Sequence, residues 1–180
     1  MTGAHRAMLF TFRVLETQRV LQASGPIDAD AAKKLETALT TYAPVHEVWL
    51  NSPSGNSRVG VEMGEIPRKY KVLTHFRSGD GCASACSTAF FGGMMREVEP
   101  GAIYSVHMFT TEFDTTEVLD QDACNTVQWG GAHGAADRMA YVQKMGIGLN
   151  LLQLWSDPTP RCMTFMSQSE MREAFLNNLR

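Results

Sequence analysis

Apolar residues recur along this chain with a period that switches between about two and about three and a half, so strand and helix signals alternate. "MLFTFRVLE" and "RVLQASG" predict two strands around a short turn at Glu16 and Thr17. "PIDADAAKKLETALTTYAP" predicts a helix with Asp28 or Asp30 as N-cap; Ala31, Leu35, Ala38, Leu39 and Tyr42 fall on its buried face, and Pro44 stops it. "VHEVWLNSP" reads as a short apolar strand ending in turn chemistry. "SRVGVEMGEIPRKY" reads as a helix weakened by Gly60, Gly64 and Pro67, and "KVLTHF" as another strand. After the loop "RSGDG", the small-residue run "SACSTAFFGG" predicts a tightly packed helix ending at Gly92 and Gly93, followed by the strand "AIYSVHMF". The pattern is helical again from about Ala135 to Leu154, with a break near Gly146 to Gly148, and "SQSEMREAFLNN" closes the chain with a further helix.

Alternating strands and helices argue for an α/β domain with a mainly parallel sheet. The chain shows no repeat, low-complexity tract or Pro/Ser-rich linker. The expectation is therefore one domain over residues 8–180, preceded by a disordered N-terminal segment, 1–7. Thr110 to Gly134 is polar, rich in Thr, Asp and Gly, and lacks periodicity, which predicts a functional loop or mobile arm.

With 180 residues, 44% hydrophobic and 19% charged, the chain can bury a substantial core. A net charge of −3 gives no electrostatic reason to expect nucleic acid, and no basic run suggests an anionic membrane surface. No stretch approaches the roughly 18 apolar residues of a membrane span. The apolar run Met8 to Phe12 is too short for a signal h-region. Four cysteines, Cys82, Cys86, Cys124 and Cys162, are too sparse for a disulfide scaffold, and none forms a C-x-x-C or zinc-type pair. The expectation for Cys82 and Cys86 is buried free thiols that serve as packing residues, not a metal site or a mutual bridge. A bridge between them requires a turn that brings their Cα atoms within about 7 Å.

Three stretches carry candidate chemistry. "NSPSGN", Asn51 to Asn56, follows a strand and is rich in Ser, Pro and Gly, so backbone N–H groups are left to face an anion or oxyanion. Ser84 stands at a helix start, where free N–H groups favour developing negative charge. It lies midway between Cys82 and Cys86, which occupy the glycine positions of a G-x-S-x-G elbow, so that motif is absent. His107 ends a strand, the side of an open parallel sheet where ligands bind. Each stretch also has a structural reading: an ordinary turn, an N-cap or small packing residue, and a structural or exposed histidine.

Taken in order, "VWLNSPSGN", "CASAC" and "REVEPGAIYSVHMF" resemble the corresponding segments of the Clp protease proteolytic subunit and signal peptide peptidase superfamily. The similarity is greatest to a branch of small bacterial proteins predicted to be periplasmic, and it runs from about Phe10 to Asn178. The resemblance implies a single crotonase-like spiral domain with a mainly parallel sheet and flanking helices. It implies a serine peptidase-like hydrolase acting on peptide or protein substrates, with Ser84 as nucleophile, His107 as general base, and the N–H groups of Gly55 and Ala85 as oxyanion hole. No metal or cofactor is implied. A homo-oligomer is implied, as is a periplasmic location with the export segment outside this sequence; the cytoplasm stays open.

The sequence departs from the family pattern at two points. Ser54 stands where the proteolytic subunit has the first of two glycines in the turn. In "CMTFMS", Met163 occupies the position of the triad aspartate; Asp157 and Asp114 are the carboxylates that could replace it in space. Loss of that acid commonly costs about 10⁴ in rate. A non-catalytic binding or assembly protein on the same scaffold is therefore the competing reading. The family's long handle helix matches "DACNTVQWGGAHGAADRM", where Gly130, Gly131 and Gly134 predict an interruption, and with it an oligomer other than a double heptamer.

Overall fold

Two sheets meet at the end of one strand, and that junction positions the turn, the serine and the histidine of the candidate site. The computed structural model describes residues 7–107, 121–155 and 163–178. The first sheet has five strands, β1 (Leu9–Leu15), β2 (Gln18–Ser24), β3 (Glu47–Asn51), β4 (Leu73–Phe76) and β6 (Arg96–Val98), adjacent in that order. β1 and β2 form the antiparallel hairpin expected around Glu16 and Thr17, and the other pairs are parallel. The second sheet contains β5 (Gly81–Ala83), β7 (Ile103–Val106) and β8 (Thr164–Phe165), with β5 parallel and β8 antiparallel to β7. Just past β3, Ser52 pairs with Cys82 and its N–H donates to the Gly81 carbonyl at 2.8 Å, which carries the first sheet into the second. The strands β5, β6 and β8 were not expected. At two or three residues each they are too short to show a period of two.

The helices are α1 (Ala31–Thr41), α2 (Ser57–Tyr70), α3 (Ala85–Phe90), α4 (Gln121–Lys144), α5 (Asn150–Trp155) and α6 (Gln168–Glu173). On α1, Ala31, Leu35, Ala38 and Leu39 are buried as expected. Tyr42 is not; it caps the helix, is 41% exposed and stacks on Phe12 with ring centroids 4.6 Å apart. The helix has ended by then, so the residue leaves the apolar stripe.

α2 runs unbroken through both of its glycines. The Asn56 side chain accepts from the N–H groups of Arg58 and Val59, and Lys71 closes the helix with φ 56°. Gly60 and Gly64, one turn apart, are buried against α3: a Cβ on Gly60 would lie 2.5 Å from the Ala85 carbonyl oxygen, and one on Gly64 2.9 Å from that of Thr88. The glycines thus lower intrinsic helicity and allow close packing, and tertiary burial offsets the propensity cost.

The expected interruption at Gly130, Gly131 and Gly134 is also corrected, because α4 is continuous across them. A glycine costs about 1 kcal/mol in a helix but does not forbid helical φ and ψ. From Gln121 on, the segment expected as a polar arm is therefore helical; residues 110–120 lie outside those described. α4 docks through Tyr141 and Val142, and Met145 just past its end is buried with them, whereas 130–137 stand exposed. The expected break near Gly146 to Gly148 separates α4 from α5. Residues 1–6 of the N-terminal segment lie outside the described range.

The core centres on Phe76, Phe90 and Tyr104, with Phe76 and Phe90 stacked at 4.1 Å. Every residue of α3 is buried. Arg96 locks the layers together, donating to the carbonyls of Phe91, Gly93, Met145 and Phe175. Burial pushes its guanidinium down to about 10.

Candidate active site

Ser84 sits where β5 turns into α3. Parallel pairing of β5 with β7 sets Cys82 beside Tyr104 and Ala83 beside Ser105, and the Ser84 N–H donates to the Ser105 carbonyl at 3.3 Å. Ser87 ties the first turn of α3 to the same carbonyl through its hydroxyl, at 2.8 Å. His107 follows β7 directly, so the register that anchors Ser84 also delivers the imidazole. Nε2 of His107 lies 2.7 Å from Oγ of Ser84. Both residues are half-buried.

The backbone of Ser84 has φ 58° and ψ −117°. An L-residue held with positive φ costs about 1–3 kcal/mol, a strain that clusters at functional sites. The turn is thus a nucleophile elbow in shape without the glycines of the G-x-S-x-G motif. Ser84 occupies the N-cap position, yet its side chain makes no capping hydrogen bond. The N-cap alternative therefore fails, because the hydroxyl faces His107.

Cys82 and Cys86, expected as free thiols, form a disulfide with Cα atoms 5.3 Å apart. The elbow folds the chain back so sharply that the residues two before and two after Ser84 meet. That is the turn geometry the sequence left open, and a C-x-x-x-C pattern centred on a candidate nucleophile was its available signal. Cys162 lies outside the described residues, as does the side chain of Cys124.

The turn Ser52 to Asn56 is gripped from both sides. Ser52 pairs with Cys82, and Ile27 bridges to Gly55 through the flanking groups: the Ile27 N–H donates to Ser54 and the Asn56 N–H to Ile27, at 3.0 and 2.9 Å. The N–H of Gly55 stays outside that ladder. Gly55 has φ 154°, and a Cβ there would come within 2.3 Å of the Ile27 carbonyl oxygen, so only glycine fits. Ser54 needs no glycine, having no positive φ. Ala85 is the first residue of α3, and its N–H has no intrahelical acceptor.

Met163 is half-buried and precedes β8. β8 pairs Val106 with Thr164, so the register carried one residue further sets Met163 across from His107. The position that the family resemblance implies for the acid is thus across from His107 in register, and it carries a thioether. Asp157 and Asp114 lie outside the described residues. Among the described residues no group of His, Cys, Asp and Glu could hold a metal ion.

Parallel crossovers feeding two joined sheets, with a serine elbow presented to a strand-end histidine, give this chain the Clp protease and crotonase-like fold. Among solved structures it is similar to a serine-to-alanine mutant of 1510-N, a membrane-bound stomatin-specific protease, with a TM-score of 0.61 and 10% identity over 87% of this chain and 75% of that one. No family model matches the chain, and no curated protein matches its sequence. The likeness at that identity establishes the fold.

Proposed function

We propose that this protein is a serine peptidase-like hydrolase acting on peptide or protein substrates. The observation that carries the reading is the Ser84 hydroxyl, held on a strained elbow 2.7 Å from Nε2 of His107. In the reaction, Nε2 accepts the hydroxyl proton as Oγ attacks a carbonyl carbon. The oxygen that becomes negative is held by the N–H groups of Gly55 and Ala85, each worth about 3–4 kcal/mol of transition-state stabilisation. His107 then returns the proton to the leaving amine, and water repeats the sequence on the acyl-enzyme. Met163 itself offers the imidazolium no carboxylate, so a stabilising acid has to come from another residue, for which Asp157 is our candidate; loss of such an acid commonly costs about 10⁴ in rate.

Met163 also favours the second reading, a non-catalytic binding or assembly protein on the same scaffold. Reaction with a fluorophosphonate probe, with the adduct located by mass spectrometry, separates the two. Label on Ser84 that is lost in Ser84→Ala supports the hydrolase. Folded wild-type protein that takes no label over hours near pH 8 rejects it.

A disulfide fits the periplasm proposed for this protein, since such bridges persist in oxidising compartments. The exposed part of α4 is the surface we assign to homo-oligomer contacts. No helix among the described residues is long and apolar enough to cross a membrane.

A further inference from the structure

The geometry points to the Cys82–Cys86 disulfide as the device that holds Ser84 in its reactive conformation, an inference that rests on the hydrolase reading for its effect on rate. The bridge is centred on Ser84, joining the middle residue of β5 to the second residue of α3. The backbone it encloses contains the one residue of the elbow with positive φ. Other restraints act on the neighbours of Ser84: Ala83 N–H donates to Ser52, Ser87 N–H to Ser84 and the Ser87 hydroxyl to Ser105, at 3.2, 3.0 and 2.8 Å, and α2 packs on Ala85; only the bridge spans the elbow covalently. α3 has six residues, and of the bonds that anchor the turn, Ser84 N–H to Ser105 and Thr88 N–H to Ser84 are long, at 3.3 and 3.4 Å. A serine with positive φ relaxes to an extended or helical conformation when nothing opposes it. Either relaxation swings Oγ away from His107 and turns the Ala85 N–H out of the oxyanion position. Extension of Ser84 also carries residues 82 and 86 beyond the span of a disulfide, and that separation is what the covalent link forbids.

Burial decides between a staple and a switch. Cys82 is 1% and Cys86 0% exposed, so a dissolved thiol cannot reach either sulfur in the folded protein. Attack on a disulfide needs access to a sulfur atom. The bridge therefore forms before the elbow is buried and stays closed. Its formation is an exchange in which two thiols become one disulfide, while an incoming disulfide, such as oxidised glutathione, leaves as two thiols. Cys82 and Cys86 are positioning residues in this scheme, since neither touches the substrate.

The test compares oxidised protein with the same chain made and kept under reducing conditions, which differ by two hydrogen atoms. Cys82→Ala, Cys86→Ala and the double variant run beside them. Three quantities are read: fluorophosphonate labelling resolved into affinity and maximal rate, amide exchange over residues 83–88, and melting temperature. The staple predicts a maximal labelling rate about 10- to 100-fold lower without the bridge, at unchanged probe affinity, because misplacement of about 1 Å has that effect. It also predicts faster exchange at 83–88, and equal losses in both single variants and the double, since all three remove one bond. Single-variant losses that add up in the double mean independent packing thiols and overturn the staple. So do two alkylatable thiols at Cys82 and Cys86 in the oxidised protein, or an unchanged rate in reduced protein. If the oxidised wild type takes no label, the hydrolase reading fails on its own. The exchange comparison then still decides whether the bridge holds the elbow.

Discussion

Gly60→Ala puts a methyl group into the contact on which the candidate oxyanion hole rests. The new Cβ would stand 2.5 Å from the Ala85 carbonyl oxygen, 3.1 Å from its carbonyl carbon and 3.2 Å from its Cα. Ordinary contact begins near 3.4 Å, and 3.4 − 2.5 leaves a deficit of about 0.9 Å. All three atoms are backbone, so no side chain can rotate away. Either α2 backs off along its length or the first turn of α3 moves, and the Ala85 N–H moves with it. Overpacking of this kind costs about 1–3 kcal/mol in stability. A shift approaching 1 Å in a catalytic donor costs about 100-fold in rate. The assay is the labelling rate at Ser84 together with a thermal melt. Expected are a melting temperature several degrees lower and a labelling rate down by one to two orders of magnitude. A variant with wild-type rate and wild-type melting temperature would refute the claim that this contact sets the position of Ala85.

Other expectations follow from the same geometry. Ser84→Gly removes the positive-φ cost, so the variant should gain about 1 kcal/mol in denaturant unfolding while losing all labelling; a loss of stability would mean the turn is not strained. His75 is buried with Nδ1 3.1 Å from Glu47 and Nε2 3.1 Å from Glu99 and 3.9 Å from Glu97, beside Trp49 and the Arg77 guanidinium that stacks on it. Burial by itself would lower the pKa of the ring, but the hydrogen bond to Glu47 and the charges of Glu97, Glu47 and Glu99 outweigh it and hold the pKa above 6.5. A raised folded-state value means this stabilisation is complete below the unfolded pKa and is lost as pH rises through the folded one. Melting temperature should therefore fall from about pH 6 to about pH 9 more steeply in wild type than in His75→Gln, and parallel profiles would count against a charged His75.

What the sequence determined alone were the features written in local chemistry. The span Ser57 to Tyr70 was readable from its apolar stripe, the hairpin from two alternating runs around a turn, and the Asn51 to Asn56 turn from Ser, Pro and Gly. Ser84 and His107 were legible as candidates because one stood at a helix start and the other ended a strand. Tertiary structure decided the rest. No local signal brings Ser84 against His107, because that contact comes from the β5–β7 register between segments that are separate along the chain. The positive φ of Ser84 and the Cys82–Cys86 bridge belong to the same turn, where β5 ends and α3 begins within one residue, and neither is visible until the chain is folded. The glycines of α2 and α4 show the limit most plainly. Propensity predicted weakness at Gly60 and Gly64 and a break at Gly130, Gly131 and Gly134, but both helices are continuous. A propensity of about 1 kcal/mol per glycine is a local quantity. Whether it matters depends on what packs against the helix, and contacts between distant segments set that.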